Sequence, residues 1–156
     1  MKMKIISRKS LKALCRRLRS RHLKIVFTNG AFDILHLGHV TYLQKAKTFG
    51  DVLIVGVNSD LSVKSYKKPD RPINPEKDRV AVLAALECVD YVVLFREPTP
   101  LKLIGDTRPH VLVKGADWKK SQIAGAHEVE SWGGKVRLVK LVPGRSTTNV
   151  IEKLKR

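Results

Sequence analysis

The stretch Phe27 to His39, Phe-Thr-Asn-Gly-Ala-Phe-Asp-Ile-Leu-His-Leu-Gly-His, constrains this chain more tightly than any other. The apolar run Ile25-Val26-Phe27 stops at Thr28-Asn29-Gly30, the pattern of a buried strand meeting a turn. His36-Leu37-Gly38-His39 then opens a segment in which Val40, Leu43 and Ala46 recur at helical spacing. A helix N-terminus presents unpaired N–H groups and partial positive charge, so it suits a bound phosphate. Histidines at i and i+3 share one helical face, and both can aim N–H donors at that phosphate. Glycines at 30 and 38 let a large ligand come close to the backbone. The plainer alternative is a helix start with two solvated histidines; strand, glycine turn and histidine pair together weigh against it. A zinc pair is disfavoured, because no cysteine, third histidine or suitably spaced acid completes a ligand set.

The rest of the chain repeats the strand-then-helix pattern. A first strand is predicted over 24–28 and its helix over 38–49, with Gly50 as the stop. Residues 51–57 read as a second buried strand ending at Asn58-Ser59-Asp60. Residues 63–75 are basic and hold three prolines, which predicts a loop excluded from helix and sheet. Asn74-Pro75-Glu76 predicts a helix start, with Asn74 as the cap. Further strands are expected at 91–95, 111–113 and 135–142, the last near a sheet edge. Helices are expected at 100–106 and 123–132, and from Ser146 or Thr147 to Leu154. Alternation at this spacing predicts an α/β domain: a doubly wound, parallel, five-stranded, Rossmann-like sheet. Ligands in such folds bind at the carboxyl ends of strands. The polar motifs at 28–39, 58–60, 114–118 and 144–148 all follow strands, so they are expected to share one site.

Charge decides less than its size suggests. The 156 residues carry a formal net charge of +17, but residues 1–24 alone hold ten Lys or Arg and no acid. This leaves 21 bases against 14 acids in the rest, a modest excess that suits polyphosphate binding. The chain thus reads as a basic helical arm, residues 1–23, ahead of a catalytic domain, residues 24–156. Leu11, Leu14, Cys15 and Leu18 give the arm an apolar stripe that packs on the domain edge or on a partner. All motifs lie after residue 24, so removal of residues 1–20 is expected to leave most of the activity if stability permits. Nucleic-acid binding by the arm is the rival from another class, but no RNA- or zinc-binding pattern accompanies the charge, and a solvated basic helix is the favoured reading. Cys15 and Cys88 make no disulfide framework or CxxC motif, and no membrane span or signal peptide is visible. A cytoplasmic protein is the expectation.

The turn is neither a G-x-G-x-x-G fingerprint nor a Walker A loop, which disfavours a dehydrogenase or P-loop kinase. His-x-Gly-His after Gly-x-Phe-Asp instead resembles the signature of the cytidylyltransferase-like nucleotidyltransferases. Gly144-Arg-Ser-Thr-Thr148 resembles that family's ISSTxxR element, with Arg145 in the leading apolar position and Ile151 in place of its arginine. Val113-Lys-Gly-Ala-Asp-Trp118 resembles the V-x-G-x-D-W segment. Phe27-Thr-Asn-Gly30, Phe32-Asp-Ile-Leu-His36, Arg71-Pro-Ile-Asn-Pro75 with Asp78-Arg79, Val82-Leu-Ala-Ala-Leu86 and Ile123-Ala-Gly-Ala126 are similar to the bacterial heptose-1-phosphate adenylyltransferases. The likeness runs over about residues 24–154.

That resemblance implies transfer of AMP from ATP to D-glycero-D-manno-heptose 1-phosphate, giving ADP-heptose and pyrophosphate for lipopolysaccharide core or another surface glycan. It assigns His36, His39 and Arg79 to catalysis. It assigns Phe27, Thr28, Asn29, Gly30, Phe32, Gly38, Lys114, Gly115, Asp117, Trp118, Ser146, Thr147 and Thr148 to the nucleotide. Asp33, Lys64 and Arg71 are assigned to the sugar phosphate, with Asp33 also able to hold the turn or orient a histidine. Mg2+ is expected as cofactor, held mainly by the phosphates rather than by protein ligands. A separate sugar kinase is expected to supply the acceptor, and a homodimer is expected. A glycerol-3-phosphate cytidylyltransferase or a flavin-type adenylyltransferase of the same fold remains an alternative.

Overall fold

The computed structural model describes residues 3–156; Met1 and Lys2 of the basic arm lie outside the described residues. Six parallel strands form one sheet in the order β1-β4-β3-β2-β5-β6: β1 (Ile5–Ile6), β2 (Ile25–Gly30), β3 (Val52–Asn58), β4 (Tyr91–Phe95), β5 (Val111–Gly115) and β6 (Lys135–Val139). Five strands were expected; the sixth is the two-residue β1, whose Ile5 and Ile6 pair with Val92 and Val93. Two residues inside a basic stretch carry no alternation to read, and the edge of β4 is what makes them a strand. β6 lies at the opposite edge, as expected, but it is mostly exposed rather than alternating and ends at Val139 instead of 142.

Successive strand residues face opposite ways, and each face finds its own helices. Ile25, Phe27, Ile54, Val93 and Leu112 pack against α1 (Arg8–Ser20), α5 (Leu101–Thr107) and α6 (Ala126–Ser131). Val26, Leu53, Val55, Val92 and Val113 pack against α2 (Leu37–Lys47) and α4 (Glu76–Ala85). The continuous apolar strands are thus explained by burial on both faces. No helix among the described residues is long and apolar enough to cross a membrane.

The basic helix α1 is part of this core. Ser7 caps it by accepting from Ser10 N at 3.2 Å, and Leu11, Leu14, Cys15 and Leu18 are all buried in the first cluster. Its cations are partly paired: Arg8 bridges Glu97 at 3.0 Å and Asp106 at 2.7 Å, and Arg19 donates to the Thr107 carbonyl at 2.8 Å. Of the two expected seats for the apolar stripe, the domain edge is the one it occupies.

Two local expectations shift. Residues 63–66, read as loop, finish a helix, α3 (Asp60–Tyr66), which Ser59 caps by accepting from Ser62 N at 3.2 Å. The loop proper begins at Lys67. Pro75, not Asn74, is the N-cap of α4, because Asn74 is engaged elsewhere: its N–H and its side-chain amide both donate to Asp33, at 2.8 Å each. The last helix, α7 (Thr147–Leu154), begins as expected, with Ser146 Oγ accepting from Asn149 N at 3.1 Å.

Candidate active site

The chain runs from β2 outward through β3 to β4, then crosses back to place β5 on the other side of β2. The reversal lies between β2 and β5, and their pairing there is brief. Only Val26–Val111 and Phe27–Leu112 are Cα partners, whereas β2 and β3 stay in register through Gly30–Val57. Beyond Phe27 the two central strands part. A cleft of about 860 Å³ opens at this switch point, within the range of small-molecule sites.

The histidine pair stands at its floor. His36 is the N-cap of α2 and His39 lies in its first turn; their rings stack with centroids 3.8 Å apart. Phe32 braces His39 edge-on at 5.3 Å, and does so from left-handed backbone, φ 48°, a conformation bulky residues seldom adopt. Burial, then the neighbouring His36, lowers the His39 pKa to about 4, and burial lowers that of His36 as well. Both rings are therefore neutral at pH 7, each with one N–H to donate. Nδ1 of each ring is buried without a hydrogen-bond partner among the described residues, as is Asn29 Oδ1. Unpaired buried polar atoms are costly, so these three, together with Arg71 Nε across the same cleft, point to a polar ligand.

Gly38 makes the junction possible. A β-carbon there would sit 2.9 Å from the His36 ring and 3.0 Å from the Arg145 carbonyl, just before α7. The N-terminal ends of α2 and α7 therefore adjoin, and Thr147 Oγ1 reaches the Ile34 carbonyl at 3.5 Å. Two helix starts, each with orphan N–H groups, face the same phosphate-sized space. Ser146 is spent partly on capping, while Thr148 is exposed on the cleft wall.

On the β5 side Lys114 is nearly buried, and burial lowers its pKa to about 8, with Asp117 opposing. Its ammonium donates to the Asn29 carbonyl at 3.4 Å and lies 5.4 Å from the centre of the Trp118 ring. Gly115 and the exposed Asp117 complete this wall. The remaining wall is the loop after α3, with Lys67, Lys68 and Arg71.

Thirteen of the expected residues therefore gather in one cleft with Ser146 and Arg71: Asn29, Gly30, Phe32, Asp33, His36, Gly38, His39, Lys114, Gly115, Asp117, Trp118, Thr147 and Thr148. Four do not. Phe27 is fully buried beneath the sheet, in the core against α1 and α5. Thr28 is equally buried and bonds Tyr42 Oη at 2.7 Å. Lys64 points away on α3, beside Asp60 and Glu76 in a shallow depression outside the cleft. Arg79, assigned to catalysis, is a structural knot: its guanidinium donates to the carbonyls of Asn74, Ala31 and Asn58 and to the Asp60 carboxylate. Four of its five N–H donors are thereby consumed, in a side chain 1% exposed. Replacing Arg79 with Met is accordingly expected to cost about 3–5 kcal/mol of stability, through the stranded acceptors. Urea melts should show the loss, while turnover per folded molecule stays within a few-fold of wild type.

Asp33 is also more committed than expected. Its carboxylate accepts from Ile73 N and Asn74 N at 2.8 Å and holds Arg71 at 3.7 Å, so it pins the end of the loop rather than offering free oxygens to substrate. Sequence reasoning missed Tyr42, Lys67, Lys68 and Gln122, which line the cleft. Tyr42 had a signal, since it stands three residues after His39 on the same helical face. The two lysines had a weaker one, their place in the basic run before Arg71.

A family model described as cytidylyltransferase-like matches residues 27–153. The chain is 53% identical over 152 residues to the bifunctional protein HldE of Geotalea uraniireducens, covering 97% of this chain and 31% of that protein. It is 56% identical over 138 residues to the HldE of Geobacter metallireducens, covering 88% and 28% respectively. The chain thus spans under a third of the length of these relatives. Among solved structures, a lipopolysaccharide core biosynthesis protein from Thermoplasma volcanium superposes with a TM-score of 0.63 at 31% identity, covering 77% of this chain and 97% of that one. A pantoate-beta-alanine ligase from Francisella tularensis shares the fold, with a TM-score of 0.65 at 19% identity over 99% of this chain and 80% of that one.

Proposed function

The chain belongs to the cytidylyltransferase-like family and is a nucleotidyltransferase, and we propose that it transfers AMP from ATP to a heptose 1-phosphate, releasing pyrophosphate. The observation that carries this reading is the stacked His36–His39 pair, set where the starts of α2 and α7 meet at the switch point. A phosphate oxygen of the acceptor attacks the α-phosphorus in line; the new P–O bond forms as the bond to the pyrophosphate oxygen breaks. Negative charge grows on the equatorial and leaving oxygens, and preorganised donors are the main source of rate in such transfers. His36 and His39 supply two neutral donors, and the two helix starts supply fixed dipoles. The heptose acceptor is supported by the resemblance of the motifs and by the likeness to the HldE proteins and to a lipopolysaccharide core biosynthesis protein. A sugar kinase would supply that acceptor.

Mg2+ fits this cleft as an ion carried by the triphosphate. The Asp33 carboxylate, the acid in the turn before α2, is occupied by backbone N–H groups. When bound it would neutralise phosphate charge; the protein's share is to hold and orient the phosphates.

Arg71 is the proposed anchor of the acceptor phosphate. Its side chain is 11% exposed, its one ion pair reaches 3.7 Å, and its Nε has no partner among the described residues. Arg71→Ala is expected to raise the KM for the sugar phosphate about tenfold, the effect of losing roughly 1.4 kcal/mol. The KM for ATP should hardly move, because Asp33 still ties Ile73 and Asn74 and keeps the loop in place. Pyrophosphate release with ATP or CTP across a panel of sugar 1-phosphates, glycerol 3-phosphate and flavin mononucleotide tests the function as a whole. Rapid release only with ATP and a heptose 1-phosphate is the expected result, and a preference for another pair would replace it.

A further inference from the structure

We propose that Tyr42 is a positioning residue for the nucleotide: its hydroxyl spans the gap between β2 and β5 and holds Asn29 and Lys114 at the separation the triphosphate requires. This rests on the nucleotidyl-transfer reading and adds to it a residue outside the family motifs used above.

The two central strands stop pairing after Phe27 and Leu112. At the next step along each strand, Tyr42 Oη bridges them, 2.7 Å from Thr28 Oγ1 and 3.0 Å from the Val113 carbonyl. The geometry fixes the direction of both bonds. A carbonyl only accepts, so the Tyr42 proton goes to Val113, and the Thr28 hydroxyl must donate to Tyr42. Burial holds the phenol far above its ordinary pKa, so this proton stays in place across the working pH range. The residues that follow the two bridged positions are Asn29 and Lys114, and they too meet across the gap, through the Lys114 ammonium and the Asn29 carbonyl at 3.4 Å. Lys114 is 9% exposed, so it depends on a bound anion or a fixed carbonyl to keep its charge. A small change in the width of the gap therefore acts directly on the cation that faces the nucleotide. Leu43 and Ala46 are the fully buried residues of α2, and the Tyr42 ring packs beside them against the same core while also lining the cleft. Its hydroxyl thus joins the helix that carries the histidines to both strands that carry the nucleotide wall.

The test measures ATP affinity by calorimetry, separately from turnover. Tyr42→Phe keeps the ring and removes the bridge; Thr28→Val does the same from the other end, and Thr28→Ser keeps the hydroxyl. Tyr42→Phe and Thr28→Val are expected to weaken ATP binding about tenfold, with the KM for the sugar phosphate within twofold and Thr28→Ser close to wild type. In a Lys114→Met background Tyr42→Phe should weaken ATP binding by less than twofold, because its effect runs through Lys114. A lowered melting temperature with unchanged ATP affinity would reduce Tyr42 to a packing residue and overturn the proposal. So would full additivity with Lys114→Met. If Tyr42→Phe does not fold, the Thr28 pair decides the matter alone. A wild-type protein that binds ATP but transfers nothing to any sugar phosphate would sink the heptose reading, and the affinity measurements would still decide the role of Tyr42.

Discussion

Deleting residues 1–20 is expected to abolish folding, not merely to trim a basic arm. Leu11, Leu14, Cys15 and Leu18 are buried against Ile25, Val93, Phe95 and Leu103, so the truncated chain would expose a whole face of the sheet. Four such side chains contribute roughly 6–10 kcal/mol at the usual burial energies, as much as the entire stability of a typical domain. The loss of β1 would also leave β4 as an unprotected edge. The truncated protein should be insoluble or show no cooperative melt by circular dichroism. Leu11→Ala in the full chain should cost about 2–5 kcal/mol by the same argument. A soluble truncation with a sharp melt and normal pyrophosphate release would restore the view of the arm as an accessory. The stability on which the expected dispensability depends is what the buried stripe puts against it, because positive charge on α1 says only where solvent is. The apolar stripe says where the core is, and here the stripe belongs to this domain.

His39→Ala should lower turnover by two to three orders of magnitude while the fold survives. Removal of one preorganised donor from a transition-state oxyanion typically costs about 2.7–4 kcal/mol. The imidazole is well placed for that role, in the first turn of α2, stacked on His36 and held edge-on by Phe32. Two rings 3.8 Å apart resist double protonation, so in the absence of anions both remain neutral donors rather than a dication. Pyrophosphate release at saturating substrates, with near-wild-type melting, is the measurement. Turnover within tenfold of wild type would remove His39 from the catalytic set. His36→Ala should behave similarly, with a further loss from the unseated His39 ring.

Much of this was legible before any fold was known. A strand over 24–28 and a helix over 38–49 follow from periodicity and glycine placement. The strand runs on through Asn29 and Gly30, which read as turn, and the helix spans Leu37–Lys47. The doubly wound parallel sheet follows from alternation, and the shared cleft from the position of every motif just after a strand. These are local or nearly local properties, so a linear pattern can hold them. What the chain could not disclose in one dimension is where a side chain spends its donors. Arg79 looks like any arginine near a helix start until segments around Ala31, Asn58 and Asn74 bring their carbonyls to it. Phe27 and Thr28 sit in the motif stretch, yet the sheet turns one into core and couples the other to Tyr42. Asp33 faces the cleft but is claimed by backbone N–H groups forty residues away in the chain. Sequence determined the elements and the neighbourhood of the site. Tertiary structure decided which polar groups remain unpaired there, because hydrogen-bond capacity is settled by partners that only folding brings within 3 Å.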